Sequence, residues 1–169
     1  LKRRPSPIAQ QIPGNETSVH QQPSTQTERL QLLVIDPHTT IFKEENTPLE
    51  HLRAFINKKE GSSNLDELLD LHRSGTMGNI TASEFWKQVG LTESPDSLNR
   101  EYVKSLQFRN GGKDFLKNLH KRGIAVSVIT NDLTDWSTQI CEIYGLQGIH
   151  PWIISSDYGV RKPDAAILE

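Results

Sequence analysis

Three scarcities restrict what this 169-residue chain can be. It has a single cysteine, Cys141, so no internal disulfide can form and a reducing, cytoplasmic location is expected. It has no run of about 20 apolar residues, the length of a membrane-spanning helix, so no membrane association is expected. It has no excess of positive charge, because 19 Lys and Arg stand against 21 Asp and Glu and leave a net charge of -2. This balance argues against nucleic acid as a partner.

The first 28 residues are poor in apolar side chains. Residues 1–28 carry four of the nine prolines and five glutamines. Such a segment buries too little surface to offset the entropy lost on ordering, so we predict a disordered leader or linker over 1–28. Because the sequence starts at Leu1 without a methionine, it is expected to be a fragment, a processed chain or an incomplete reading frame.

Three short apolar runs predict the strands of a parallel sheet. The runs 30–35, 124–129 and 152–154 are almost wholly apolar, as in strands that are buried on both faces. Each run is followed by small polar or acidic residues, among them Asp36 and Thr130. Because parallel α/β sheets bind ligands outside the carboxyl ends of their strands, these residues predict a site at that edge.

Helix signals fill the interval between the first two strands. Four segments carry an N-cap residue followed by apolar residues at helical spacing. They begin near Thr47, Asn64, Thr81 and Ser94. This is too much chain for a single crossover connection, so residues 45–108 are predicted to form an all-helical insertion, or cap. Residues 29–44 and 109–169 then form an α/β core.

The order of these segments resembles the haloacid dehalogenase-like (HAD) hydrolase superfamily, in its type with a helical cap. The resemblance extends over 30–169 and depends on three motifs that follow one another in the family's order. They are Asp36-x-x-Thr39-Thr40 after the first strand, Thr130-Asn131 after the second, and Lys162-Pro163-Asp164 after the third. The resemblance implies a Rossmann-like parallel sheet with the helical cap inserted between the first two motifs.

The resemblance also implies a role for each matching residue. Asp36 matches the nucleophile, which attacks phosphorus and forms an aspartyl phosphate. Thr130 matches the hydroxyl that holds phosphoryl oxygens, assisted by Asn131 at the start of the next helix. Lys162 matches the cation that offsets negative charge on the phosphate and the carboxylate. The family further implies a small phosphorylated substrate and Mg²⁺, bound by the Asp36 carboxylate and the backbone carbonyl of His38.

Two features depart from the family's pattern. The family has a second aspartate, acting as general acid and base, where this chain has His38. An imidazole with an ordinary pKa of about 6.5 could perform both proton transfers, or the function could be lost, since His⁺ beside Mg²⁺ and Lys162 is disfavoured. The family's fourth motif, an acidic pair that completes the metal site, is expected after the helix that starts near Asp164. The sequence ends at Glu169, before that position, so the core is predicted to be incomplete at its C-terminus.

Four functional hypotheses follow. The leading one is a HAD-like phosphatase that acts on a small phosphorylated metabolite through an aspartyl phosphate. The alternative is a catalytically degenerate HAD-like domain that binds a phosphorylated ligand or a protein without turnover. A third is an unrelated α/β interaction module whose motif matches arise by chance. A dehalogenase in the literal sense, with an aspartate nucleophile and no metal, ranks below the phosphatase.

Overall fold

A computed structural model describes residues 30–43 and 47–168 of the chain. The predicted leader at 1–28 lies outside these described residues. No helix of the described part is long and apolar enough to cross a membrane.

The central sheet has three parallel strands. They are β1 (Leu32–Ile35), β4 (Ala125–Thr130) and β5 (Trp152–Ile154), in the spatial order β1-β4-β5. The register pairs Ile35 with Val128 and Thr130 with Ile154, so the carboxyl ends of all three strands meet at one edge. The chain therefore has the α/β class and the parallel sheet that the sequence predicts.

The first strand differs from its prediction in one respect. The apolar run predicts a strand buried on both faces, yet Leu32 is 50% exposed and Val34 is 48% exposed. Among the described strands, β1 pairs only with β4 and lies at the edge of the sheet, and one of its faces is left open. Burial of this strand depends on which elements cover it, and an apolar run carries no information about that.

Four successive helices occupy the interval between β1 and β4 over residues 48–105, and they are called the helical block below. They are α2 (Pro48–Lys58), α3 (Leu65–Thr76), α4 (Ala82–Gln88) and α5 (Pro95–Ser105). Two of the predicted N-cap residues form capping boxes, Thr47 with Glu50 and Thr81 with Glu84, where the side chains and backbone N–H groups bond reciprocally. The structure therefore has the helices that the sequence predicts here, and their separation as a cap domain over 45–108 stays a prediction.

The remaining elements surround the sheet. They are α1 (Pro37–Thr40), the short antiparallel pair β2 (Phe42–Lys43) and β3 (Gln107–Phe108), α6 (Gly112–Lys121), α7 (Thr134–Tyr144), α8 (Ser155–Tyr158) and a 3₁₀ turn (Ala165–Leu168). One hydrophobic cluster runs through both the helical block and the sheet layer, and it includes Trp86 of α4 and Trp136 of α7. This shared cluster joins the helical block to the sheet layer.

Candidate active site

Asp36 directly follows β1 and is the N-cap of α1. Its backbone is extended, with φ −98° and ψ 117°, because the next residue is a proline that disfavours the helical region for the residue before it. One carboxylate oxygen, Oδ1, accepts a hydrogen bond from the backbone N–H of His38 at 3.1 Å. The side chain of Asp36 is 26% exposed, so a ligand at this edge of the sheet can approach it.

Lys162 brings a cation to the same carboxylate. Its Nζ lies 2.6 Å from Oδ2 of Asp36 and also donates to the backbone carbonyl of Ile129 at 2.7 Å. The two residues are 126 positions apart in the sequence, so this contact depends on the whole α/β arrangement. Because the Lys162 side chain is 32% exposed, the ion pair lies at an accessible surface, where an ammonium can also contact an incoming anion.

Asn131 holds the backbone of Lys162 in place. Its Oδ1 accepts from the N–H of Lys162 at 2.7 Å, and its Nδ2 donates to the carbonyl of the same residue at 3.0 Å. Both polar groups of the amide are therefore engaged by one residue. Asn131 therefore positions Lys162. The role in substrate binding that the resemblance implies for Asn131 stays a prediction.

Thr130 ends β4 and is fully buried. Its hydroxyl oxygen has no hydrogen-bond partner among the described residues. A buried hydroxyl without a partner costs free energy, about 1–3 kcal/mol by mutational comparison, and such groups often mark functional positions. Thr130 is also one position beyond Ile129, whose carbonyl accepts from the ammonium of Lys162, so the unpaired hydroxyl and the Asp36–Lys162 ion pair share one end of the sheet.

His38 is turned into the protein. It is buried, and its Nε2 lies 3.4 Å from Oδ2 of Asp132. Asp132 is itself buried, and its carboxylate accepts from the hydroxyl of Ser137 at 2.7 Å and from the N–H of Leu133 at 2.9 Å. His38 is thus one member of a buried polar cluster beside the Asp36–Lys162 pair. The carboxylate of Asp132 favours an N–H on the imidazole nitrogen that faces it.

Sequence reasoning missed Asp132 and Ser155. Ser155, the first residue of α8, accepts from the N–H of Asp132 at 3.1 Å and donates to the carbonyl of Thr76 at 2.6 Å. It thereby ties the end of α3 to the loop after β4. The only sequence signal for these residues is their position just after predicted strands, which many ordinary turn residues share.

The donor set for a metal ion is small in the described residues. No group of three or more His, Cys, Asp or Glu within 30–43 and 47–168 could hold a metal ion. The Asp36 carboxylate fits the oxygen chemistry that Mg²⁺ prefers, since Mg²⁺ is commonly held by one or two carboxylates together with waters and substrate phosphate.

Cys141 on α7 is not a candidate nucleophile. Burial raises the pKa of its thiol to about 11, which leaves no nucleophilic thiolate near neutral pH.

Comparison with known proteins gives the fold. No protein-family model and no curated protein sequence matches the chain. Among solved structures, the HAD family enzyme BT-2542 from Bacteroides thetaiotaomicron is similar. Its wild-type complex with magnesium and inorganic phosphate has a TM-score of 0.57 at 20% identity, over 82% of this chain and 75% of that chain. The same complex of a variant with one aspartate replaced by alanine has a TM-score of 0.60 at 17% identity, again over 82% and 75%. At such identities the similarity is one of fold, and we conclude that this chain has the fold of the HAD-like hydrolases.

Proposed function

We propose that this chain is a HAD-like phosphatase that cleaves a small phosphorylated metabolite. The observation that carries the proposal is the 2.6 Å contact between the Lys162 ammonium and the Asp36 carboxylate at the carboxyl edge of the sheet. The contact unites a candidate nucleophile and a charge-neutralising cation from distant segments. The neighbouring Thr130 hydroxyl, which is buried and unpaired within the described part of the chain, is an additional donor toward phosphoryl oxygens.

In the proposed reaction, a carboxylate oxygen of Asp36 attacks phosphorus. The new bond joins this oxygen to phosphorus, the bond to the substrate oxygen breaks, and the released oxygen takes up a proton. Water then attacks the aspartyl phosphate, which releases inorganic phosphate and restores the carboxylate. Lys162 stabilises the negative charge on the phosphoryl oxygens in both steps.

Mg²⁺ is part of this proposal. The Asp36 carboxylate and the backbone carbonyl of His38 would hold it, and the bound ion would supply Lewis-acid stabilisation of phosphoryl charge. Two of the solved structures with the same fold are complexes with magnesium and inorganic phosphate, which supports this choice of ion and of ligand.

A second candidate function is favoured by His38. Its imidazole is buried against Asp132 at 3.4 Å and occupies the position where the family has a general acid and base. A chain that cannot protonate the leaving oxygen or activate water would bind phosphorylated ligands and release them unchanged. If the chain is a phosphatase, His38 performs these transfers while Asp132 orients the ring.

The decisive experiment measures hydrolysis of p-nitrophenyl phosphate and of a metabolite panel with and without Mg²⁺. We expect turnover in the parent chain, and we expect Asp36→Asn to lower kcat/KM by about 1,000-fold or more because the nucleophile is lost. Asp114→Asn is the matched control, since that carboxylate is 78% exposed on α6 and lies outside the site.

Three outcomes separate the candidates. Turnover that Asp36→Asn abolishes and Asp114→Asn preserves supports the phosphatase. An inactive parent chain that gains turnover on His38→Asp supports the binding domain with a lost acid and base. Absence of turnover in both chains, with no binding of inorganic phosphate, contradicts both candidates.

A further inference from the structure

A cavity of about 680 Å³ is lined in part by Lys162, whose ammonium contacts the Asp36 carboxylate. One wall is the face of α3 that carries Asp70, Arg73 and Met77, and the other wall is the loop 159–164, which includes Arg161 and Lys162. The volume falls in the range of about 300–1,000 Å³ that is typical of small-molecule sites. The cavity therefore has room for the part of a substrate that extends beyond its phosphoryl group.

Two arginines line this cavity without a counterion. Neither Arg73 nor Arg161 forms an ion pair or a side-chain hydrogen bond with the described part of the chain. The cavity also contains the carboxylates of Asp70 and Asp164, and neither makes an ion pair with these guanidinium groups within 30–43 and 47–168. Both arginines therefore keep guanidinium donors that no group in the described part of the chain uses.

The two guanidinium groups also repel each other. Partial burial, and then the positive charge of Arg73, lower the pKa of Arg161. An arginine nevertheless stays protonated near neutral pH, so two like charges face one partly desolvated space. An anion between them would remove the repulsion and accept the planar, bidentate hydrogen bonds that guanidinium groups offer to carboxylates and phosphates.

The arrangement is fixed by contacts between α3 and the carboxyl edge of the sheet. Ser155 donates to the carbonyl of Thr76 at 2.6 Å, one helical turn after Arg73. On the other wall, Asn131 holds the backbone of Lys162, the residue next to Arg161. Arg161 and Lys162 line the same cavity, and the Lys162 ammonium contacts the proposed nucleophile, so the cavity extends to the cation of the proposed site.

We propose that Arg73 and Arg161 bind a second anionic group of the substrate, a carboxylate or a second phosphate. The inference deepens the proposed function, since it names the substrate class as phosphate esters that carry another acidic group. Lys162 and Asp36 act on the ester phosphate, and the arginine pair orients the molecule from its other end. Arg73 and Arg161 are binding residues in this scheme and take no part in bond cleavage.

The test measures binding and does not depend on turnover. The full 169-residue chain carrying Asp36→Asn, which leaves the ester intact, is titrated calorimetrically in Mg²⁺ buffer with phosphoglycerate and with glycerol phosphate. These esters differ in the carboxylate. We expect phosphoglycerate to bind about tenfold more tightly or better, in keeping with charged hydrogen bonds. A second pair, ribulose bisphosphate against ribulose monophosphate, shows whether a phosphate is preferred to a carboxylate.

Arginine variants assign the effect. Arg73→Gln and Arg161→Gln should each weaken the binding of the doubly anionic ester about tenfold and leave the singly anionic ester within about twofold. Arg161→Lys, which keeps the charge without the planar fork, should show an intermediate loss. Arg100→Gln is the matched control, because Arg100 is exposed on α5 outside this cavity. Thermal unfolding by circular dichroism checks that each variant is folded.

Failure of this inference is distinguishable from failure of the proposed function. Equal binding of both esters, equal effects of the Arg73 and Arg100 variants, or no binding of any ester overturns the inference. Selective binding in a chain that hydrolyses none of the esters preserves the inference and removes the phosphatase. Hydrolysis without any preference for a second acidic group supports the phosphatase and overturns this inference.

Discussion

His72 is a half-buried titratable residue on α3, close to the site. Its ring stacks on the indole of Trp136, with ring centroids 6.5 Å apart. The pKa of His72 is lowered to about 4, mainly because the ring is buried. The carboxylate of Asp132 acts in the opposite direction, and interactions with Arg161 and His38 contribute to the lowering. The neutral imidazole is therefore the form that the folded chain favours.

This pKa predicts acid sensitivity of folding. In the unfolded chain His72 titrates near its ordinary value of 6.5, so between pH 6.5 and 4 the unfolded state binds more protons. The free energy of unfolding should fall as the pH decreases through this window, by at most about 3 kcal/mol from this residue. Urea unfolding of the parent chain and of His72→Gln at pH 7 and pH 5 measures it.

This prediction is tested by comparing how the free energy of unfolding changes with pH in the parent chain and in His72→Gln. His72→Gln should lose less stability than the parent chain on going from pH 7 to pH 5, because the group that titrates is gone. His120→Gln serves as the control, since His120 is exposed at the end of α6. An identical pH dependence in the parent chain and in His72→Gln would show that His72 is protonated equally in the folded and unfolded states.

Some residues of the site could be predicted from the sequence, and others could not. Asp36 and Lys162 could be singled out because each follows a predicted strand within a recognisable motif, and the structure places their charged groups in contact. Asp132 meets His38 across 94 positions, and Arg73 meets the loop of Arg161 only because α3 folds over the sheet edge. Nothing in the local sequence around these residues distinguishes them from solvated charges on a helix or a turn.

At the scale of elements, helices were easier to predict than the environment of strands. A capping box such as Thr81 with Glu84 is a contact over three residues, so its signal is complete within the sequence window that forms it. Exposure of β1 depends on its partners in the sheet, and the paired β2 and β3 strands of two residues each carry no periodic signal at all.

The junction between α3 and α8 is a close backbone approach that only glycine permits. Gly78 has φ +74°, and a Cβ atom there would lie 2.3 Å from the carbonyl oxygen of Ser156. Gly90 has a similar φ of +82°, but a Cβ atom there would meet no other atom within 4 Å, so this position isolates the backbone cost. A comparison of substitutions at Gly78 and Gly90 therefore separates the cost of the steric contact from the cost of the positive φ.

We expect Gly78→Ala to destabilise the fold more than Gly90→Ala. The positive φ alone should cost about 1 kcal/mol at either position, and displacement of Ser156 should raise the cost at Gly78 to about 3 kcal/mol. Urea unfolding measures both free energies. Equal losses in the two variants would show that α3 and α8 separate without cost, and the arginine cavity between α3 and the loop 159–164 would then lack a fixed wall.

At the scale of the whole molecule, the helical block and the sheet layer share one interior. The indole N–H groups of Trp86 and Trp136 both donate to the side-chain oxygen of Asn99, at 2.7 and 2.9 Å. The two indole centroids are 5.3 Å apart, although the rings come from α4 in the helical block and α7 beside the sheet. The bridge between these tryptophans depends on long-range folding, because the two residues lie 50 positions apart in the sequence.

This shared interior predicts that the two parts unfold together. Separate cores would give two transitions, whereas a common one should give a single cooperative transition. Unfolding in urea should therefore have the same midpoint by tryptophan fluorescence, which reports the cluster, and by far-ultraviolet circular dichroism, which reports all helices. Asn99→Leu leaves two buried indole donors without their acceptor and should lower the free energy of unfolding by about 2–4 kcal/mol.

Asn99→Leu gives a specific test of this prediction. The midpoints measured by fluorescence and by circular dichroism should both fall to lower urea, and by the same amount. Asn118→Leu, at an exposed position on α6, should leave the midpoints nearly unchanged. If Asn99→Leu shifts fluorescence alone and leaves a later transition in circular dichroism, the helical block melts as a separate unit. A site whose two walls come from α3 and from the sheet edge would then be held together by the substrate, and the affinity of the chain for its ligand would include the free energy of docking the two parts.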